Sequence, residues 1–124
     1  MRLLAKALDT LTFFWDRKIG IIHVTRKMLE EAEALWEYTE GFVEFPRSIE
    51  GVEVAAFISE IGDRFFKVSL RSRGNINVEK IAGAFGGGGH HSAAACRING
   101  DLEGVRKQLI ETVIGHATER PRRD

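Results

Sequence analysis

The sequence predicts an α/β domain: a mixed β-sheet of four to five strands with helices packed on it, preceded by a linker helix. Three observations carry this expectation. β-Branched or alternating runs recur between stretches of helical periodicity. Helix-capping residues stand at the junctions between them. The 124 residues, 44% of them hydrophobic, suffice for one core without staples.

Leu3, Leu4, Leu8 and Leu11 recur at helical spacing, so an amphipathic helix is expected over residues 2–14. Ile19-Gly20-Ile21-Ile22-His23-Val24 reads as a strand. Thr25 is placed to cap a helix whose apolar face is Met28, Leu29, Ala32, Leu35 and Trp36. Gly41 and Pro46 punctuate the connection that follows.

Val52 to Ser59 and Phe65 to Ser72 flank Ile61-Gly62-Asp63-Arg64, which predicts a hairpin. In its second strand Phe66, Val68 and Leu70 share one face, and Ser69, Arg71 and Arg73 the other. Asn77 caps a short helix carrying Val78, Ile81, Ala82 and Phe85, and Gly86 stands where a helix end favours a left-handed residue. A glycine loop, a strand around Ala94–Ile98 and a turn at Asn99-Gly100 come next. Asp101 caps a last helix with Leu102, Val105, Leu109, Ile110, Val113 and Ile114 inward, and Arg120-Pro121-Arg122-Arg123-Asp124 reads as a basic tail.

Lysine plus arginine equals aspartate plus glutamate, 18 against 18, so net charge exerts no general pull on a polyanion or a membrane. An anion site must be a local arrangement. Cys96 is the sole cysteine, which excludes an intrachain disulfide and fits a cytoplasmic protein. Lys6, Asp9 and Asp16 interrupt the N-terminal apolar run, against a signal peptide, and no apolar stretch reaches the ~18–20 residues of a membrane span.

The run Gly86-Gly87-Gly88-Gly89-His90-His91-Ser92-Ala93-Ala94-Ala95-Cys96 is the strongest functional signal. Nucleotide-binding glycine motifs lead from a strand into a helix, whose N-terminus holds the phosphate. Here a helix precedes the glycines and a strand follows, and no Lys-Ser/Thr is present, so both the P-loop and the dinucleotide fingerprint are excluded. Two readings stay open: a bare helix-to-strand connection, or a backbone surface that a ligand approaches closely. His90 divides the same way, between a solvated loop histidine and a phosphate partner. His91, pointing oppositely in an extended segment, reads as structural. The adjacent histidines lack metal-pair spacing, and His23 and His116 are remote in sequence. Arg71 and Arg73 are either a solvated strand face or bidentate phosphate ligands. Phe85, beside the glycines, is the aromatic whose placement matters most; Cys96 reads as an inert buried thiol.

Gly87-Gly88-Gly89-His90-x-x-Ala93-Ala94 resembles the Gly-Gly-Gly-His-x-x-Ala-Ala-Gly motif of the DHH-associated domain, the C-terminal domain of DHH-family phosphoesterases. Ser69-Leu70-Arg71-Ser72, Asn77-Val78 and Ile81-Ala82 resemble the strand and helix before that motif. Ile49-Glu50-Gly51-Val52-Glu53-Val54-Ala55 resembles the branch of bifunctional oligoribonucleases and phosphoadenosine-phosphate phosphatases. Ala95 departs from the motif's final glycine, and His91 from the residue that branch often carries.

The resemblance implies residues 1–14 as a linker helix from an N-terminal catalytic domain, 15–118 as the substrate-binding domain and 119–124 as a basic tail. It implies that Gly87, Gly88, Gly89 and His90 face a nucleotide phosphate and that Arg71 anchors phosphate or sugar. The family's two divalent ions, usually manganese, are held by aspartates and histidines of the N-terminal domain. This chain has no Asp-His-His triplet, and its aspartates (Asp9, Asp16, Asp63, Asp101 and Asp124) are scattered. It is therefore expected to bind no metal and to be inactive alone. The implied partners are an N-terminal DHH domain and a short RNA or nucleotide substrate, with no membrane and with a homodimer allowed. The implied activity is manganese-dependent phosphoesterase or exonuclease action on short oligoribonucleotides or nucleotide bisphosphates. The alternatives are a non-catalytic nucleic-acid-binding module, which balanced charge disfavours, and a structural domain with a vestigial loop.

Overall fold

Two kinds of strand are visible in the sequence, and they set the architecture. Ile19–Val24, interrupted by His23, and the start of Val54–Gly62 are predominantly apolar, as strands covered on both faces are. Phe65–Ser72 and Ala93–Asn99 alternate apolar with polar or small residues, as strands open on one face do. The computed structural model describes residues 2–118, and in it these strands form the middle of one sheet. The tail expected at 119–124 lies outside the described residues.

The elements in chain order are α1 (Arg2–Asp9), β1 (Thr12–Phe14), β2 (Ile19–Val24), α2 (Arg26–Glu31), a 3₁₀ turn (Trp36–Thr39), α3 (Glu44–Arg47), β3 (Val54–Gly62), β4 (Phe65–Ser72), α4 (Val78–Gly83), β5 (Gly88–His90), β6 (Ala93–Asn99) and α5 (Leu102–Thr118). The mixed sheet has six strands in the order β1-β2-β3-β4-β6-β5. Only the β2–β3 pair is parallel. The long crossover between those two carries α2 and α3, as a parallel connection requires.

The α/β expectation holds, with two corrections to its strand count. The helix expected over 2–14 ends at Asp9, and Thr12–Phe14 pairs with β2. Three residues are too few for a period-2 pattern to show beside the leucine repeat. Leu3 and Ala7 of α1 are fully buried in one core with Ile22, Val24 and Phe57, so this helix is part of the packed body. The second addition is β5, discussed below.

A third correction concerns the helix after Thr25. Thr25 Oγ1 accepts the Met28 N–H as expected, yet α2 stops at Glu31. Glu33 adopts φ 51°, while its N–H donates to Glu30 O and that of Ala34 to Leu29 O. This is a Schellman ending without the usual glycine. Leu35 is consequently 58% exposed, and Trp36 opens the 3₁₀ turn. The other caps stand as read: Glu79 N–H donates to Asn77 Oδ1, and Gly104 N–H to Asp101 Oδ1.

The sheet separates two cores. On one face Ile19, Ile21, Ile58, Val68, Leu70 and Cys96 pack against α4 and α5 through Ile81, Leu109 and Val113. On the other, Ile22, Val24, Ala55 and Phe57 pack against Leu3, Ala7, Phe42 and Val43, with the Phe42 and Phe57 rings 5.7 Å apart. This second core covers β1 to β3 only. Beyond it, the outward residues of β4, β6 and β5 are half-buried or exposed. The open half-face is a consequence of the crossover ending at α3. Among the described residues no helix is long and apolar enough to cross a membrane.

Candidate functional site

Register brings the motif residues together. His90 pairs with Ala93, Ala93 with Arg71, and Arg71 with Ala55. Residues directly opposite on neighbouring strands project to the same face. His90 and Arg71 therefore flank Ala93 in a single row, about 10 Å apart across two strand spacings. The next row is Gly88, Ala95 and Ser69. The result is a floor of small side chains with an imidazole on one side and a guanidinium on the other.

The four glycines divide into distinct roles. Gly86 is left-handed at φ 82°; its N–H donates to Gly83 O and that of Gly87 to Ala82 O. This Schellman ending stops α4 as expected. Gly87 thus offers no free donor. A Cβ on Gly87 would fall 2.2 Å from Ala95 O, and one on Gly89 would fall 2.5 Å from Ala94 Cα. Those two glycines let β5 lie against β6. A Cβ on Gly88 would meet nothing within 4 Å. The run expected to be a loop is therefore an edge strand over Gly88–His90, with unpaired backbone groups along its outer side. Glycine has little strand propensity, so its pairing with β6 left no mark in the sequence.

The His90 side chain is exposed and has no hydrogen-bond partner among the described residues. His91 is committed elsewhere: its Nε2 lies 2.9 Å from Gly74 O, and its carbonyl accepts the Val78 N–H at the start of α4. Arg71 is held by Glu44 of α3, with Nε to Oε2 at 3.3 Å, and by its Nη1 bond to Leu70 O at 2.9 Å. Its Nη2 is left without a partner among the described residues. Arg73 does not join this face. Its guanidinium donates to Arg47 O and Ile49 O, tying down the crossover. Ser72 faces the opposite core and is 2% exposed.

Beside Arg71 a recess of about 360 Å³ lies between β4 and the crossover, lined by Trp36, Thr39, Glu40, Phe57 and Ser69 among others. Phe85 lines a second recess, of about 260 Å³, with Gly86, Gly87, Ala95 and Arg97. Lys67 borders both. The alternation of β4 places Lys67 on the face of Ser69 and Arg71, whereas only the fold brings Glu44 of α3 there.

A family model for the DHHA1 domain matches residues 28–117. This chain belongs to the DHHA1 family. It is a DHHA1 domain of the kind carried by DHH-family phosphoesterases. It is 35% identical over 113 residues to the bifunctional oligoribonuclease and PAP phosphatase NrnA of Thermus thermophilus, covering 90% of this chain and 33% of that protein. It is 39% identical over 67 residues to the cyclic-di-AMP phosphodiesterase PdeA of Listeria monocytogenes, covering 53% of this chain and 10% of that one. An exopolyphosphatase-related protein from Bacteroides fragilis superposes with a TM-score of 0.86 at 27% identity, covering 94% of this chain and 34% of the other. A pGpG-specific phosphodiesterase, PggH of Vibrio cholerae, shares the fold at a TM-score of 0.58 and 12% identity, covering 92% of this chain and 38% of the other. The DHHA1 chain thus spans about a third of the length of NrnA.

Cys96 and His23 lie on the opposite face of the sheet. Among the described residues no group of three or more His, Cys, Asp or Glu is placed to hold a metal ion. Burial pushes the Cys96 thiol up to about 11, which keeps it protonated and unreactive at neutral pH. His23 is held below its ordinary value by burial, then by the Arg106 guanidinium, with Glu103 opposing.

Proposed function

We propose that this DHHA1 domain binds the phosphate of a nucleotide or short oligoribonucleotide on its open half-face, as the substrate-holding side of a phosphoesterase cleft. The observation that supports this most is the row His90–Ala93–Arg71. Arg71 offers a guanidinium already oriented by Glu44, suited to a phosphate or the adjoining sugar. His90 offers an imidazole free of other partners. Ala93 between them leaves the volume that a phosphate needs. Gly88 and Gly89 expose backbone at the sheet edge, and Gly87 lets that edge lie against β6.

In this reading hydrolysis belongs to a DHH domain, and this domain contributes binding and orientation. Manganese, which the family resemblance places in that other domain, has no cluster of ligands among the residues described above. Closure of one domain on the other would assemble the site only around substrate.

Calorimetric titration of this chain with adenosine 5′-monophosphate and with adenosine tests the reading. Millimolar binding of the nucleotide, none of the nucleoside, and loss of binding in His90→Ala and Arg71→Ala are expected. Equal binding of both would remove phosphate recognition from the account. The chain alone, with manganese added, is expected to hydrolyse neither short oligoribonucleotides nor nucleotide bisphosphates; robust turnover by a clean preparation would overturn the divided site.

A further inference from the structure

Two rows along the same open face, β4 and β6 place Lys67 directly opposite Arg97. Both side chains are exposed, and neither makes an ion pair or side-chain hydrogen bond among the described residues. Like charges directly opposite each other destabilise an antiparallel pair. The intervening row, Gly88, Ala95 and Ser69, carries no charge. Glu40 lines the larger recess with Lys67 but forms no salt bridge to it. Two uncompensated cations, side by side at the mouth of the smaller recess, are arranged as an anion contact.

We propose that Lys67 and Arg97 hold a second phosphate of an oligonucleotide whose first phosphate lies between Arg71 and His90. The recess formed by Phe85, Gly86, Gly87 and Ala95 then takes the nucleoside beside that second phosphate, with the aromatic ring as one wall. This inference rests on the reading of the Arg71–His90 row as a phosphate site. Arg71 and Lys67 are four residues apart on one strand, which is about 13 Å. A mononucleotide, with one phosphate group, engages the first row and leaves the second empty. The pair Lys67–Arg97 therefore reads substrate length.

The experiment compares binding of adenosine 5′-monophosphate and of 5′-phosphorylated triadenylate to the wild-type chain, to the double variant Lys67→Gln/Arg97→Gln, and to Arg71→Ala and His90→Ala. The double variant should bind the trinucleotide about tenfold more weakly and the mononucleotide unchanged. The slope of log affinity against log salt for the trinucleotide should fall by about 0.7, the value for one phosphate contact on a single strand. Its melting temperature should be equal or higher, because a repulsive pair has been removed. Unchanged trinucleotide affinity in the double variant, or an equal loss for both ligands, overturns the second contact. Mononucleotide binding that ignores both Arg71→Ala and His90→Ala overturns the underlying phosphate site, and this inference with it.

Discussion

His90 and Arg71 face the same side of the sheet, each paired directly with Ala93 from opposite edges of β6. They are 19 positions apart in sequence, separated by α4 and the glycine run, so the sheet register alone makes them neighbours. Two features protect that arrangement. Glu44 fixes the guanidinium from the crossover side. The glycines let β5 approach β6 closely enough to carry His90 into the row.

If the space over Ala93 is what admits a phosphate, filling it should abolish binding without harming the fold. Ala93→Val puts a good strand former at a half-buried, outward position. Its thermal stability should stay within about 0.5 kcal/mol of wild type. Its affinity for adenosine 5′-monophosphate should fall about tenfold, or about 1.4 kcal/mol. Undiminished affinity would place the ligand away from this row.

The glycines should separate into fold and site by alanine substitution. Gly87→Ala and Gly89→Ala drive a methyl into β6 and should cost about 1–3 kcal/mol or more. Gly88→Ala meets open space and should be neutral to folding within about 0.5 kcal/mol. Chemical denaturation of the three variants measures this directly. Similar losses in all three would contradict the assigned packing.

Acidification should weaken the fold through His23. Arg106 can only donate, so the 3.2 Å contact from its Nη2 makes His23 Nδ1 an acceptor and the ring neutral. Burial and Arg106 together hold the folded-state value below the ordinary 6.5. The unfolded chain therefore binds more protons in the window below 6.5, and stability drops as pH falls through it. Melting curves from pH 7 downward should show this drop, and His23→Gln should flatten it. A profile unaltered by the substitution would assign the acid sensitivity to other groups.

The parts of the fold that were legible in the sequence are those with local causes. Thr25, Asn77 and Asp101 cap their helices by bonds spanning two or three residues, and composition at those positions announces them. The β-branched run of β2 and the alternation of β4 announced strands of a mixed sheet, while the open half-face showed only once the extent of the second core was known. The illegible parts depend on distant partners. Glu33 ends α2 in a left-handed conformation that sequence assigns to glycine. Glu44 meets Arg71 across 27 positions. Arg73 looked equivalent to Arg71 by alternation, but it follows the end of β4 and is captured by the carbonyls of Arg47 and Ile49. The glycine run signalled its importance at once, while its division into a helix stop, two packing positions and one open position needed the β5–β6 register.

The central claim is that a phosphate binds on the row His90–Ala93–Arg71. Amide and imidazole NMR shifts of the full chain, followed while adenosine 5′-monophosphate is added to millimolar concentration, test it most directly. The account predicts saturable shifts confined to Gly88, Gly89, His90, Ala93 and Arg71. Shifts clustered on α4 and α5 instead, or none at saturating nucleotide, would contradict it.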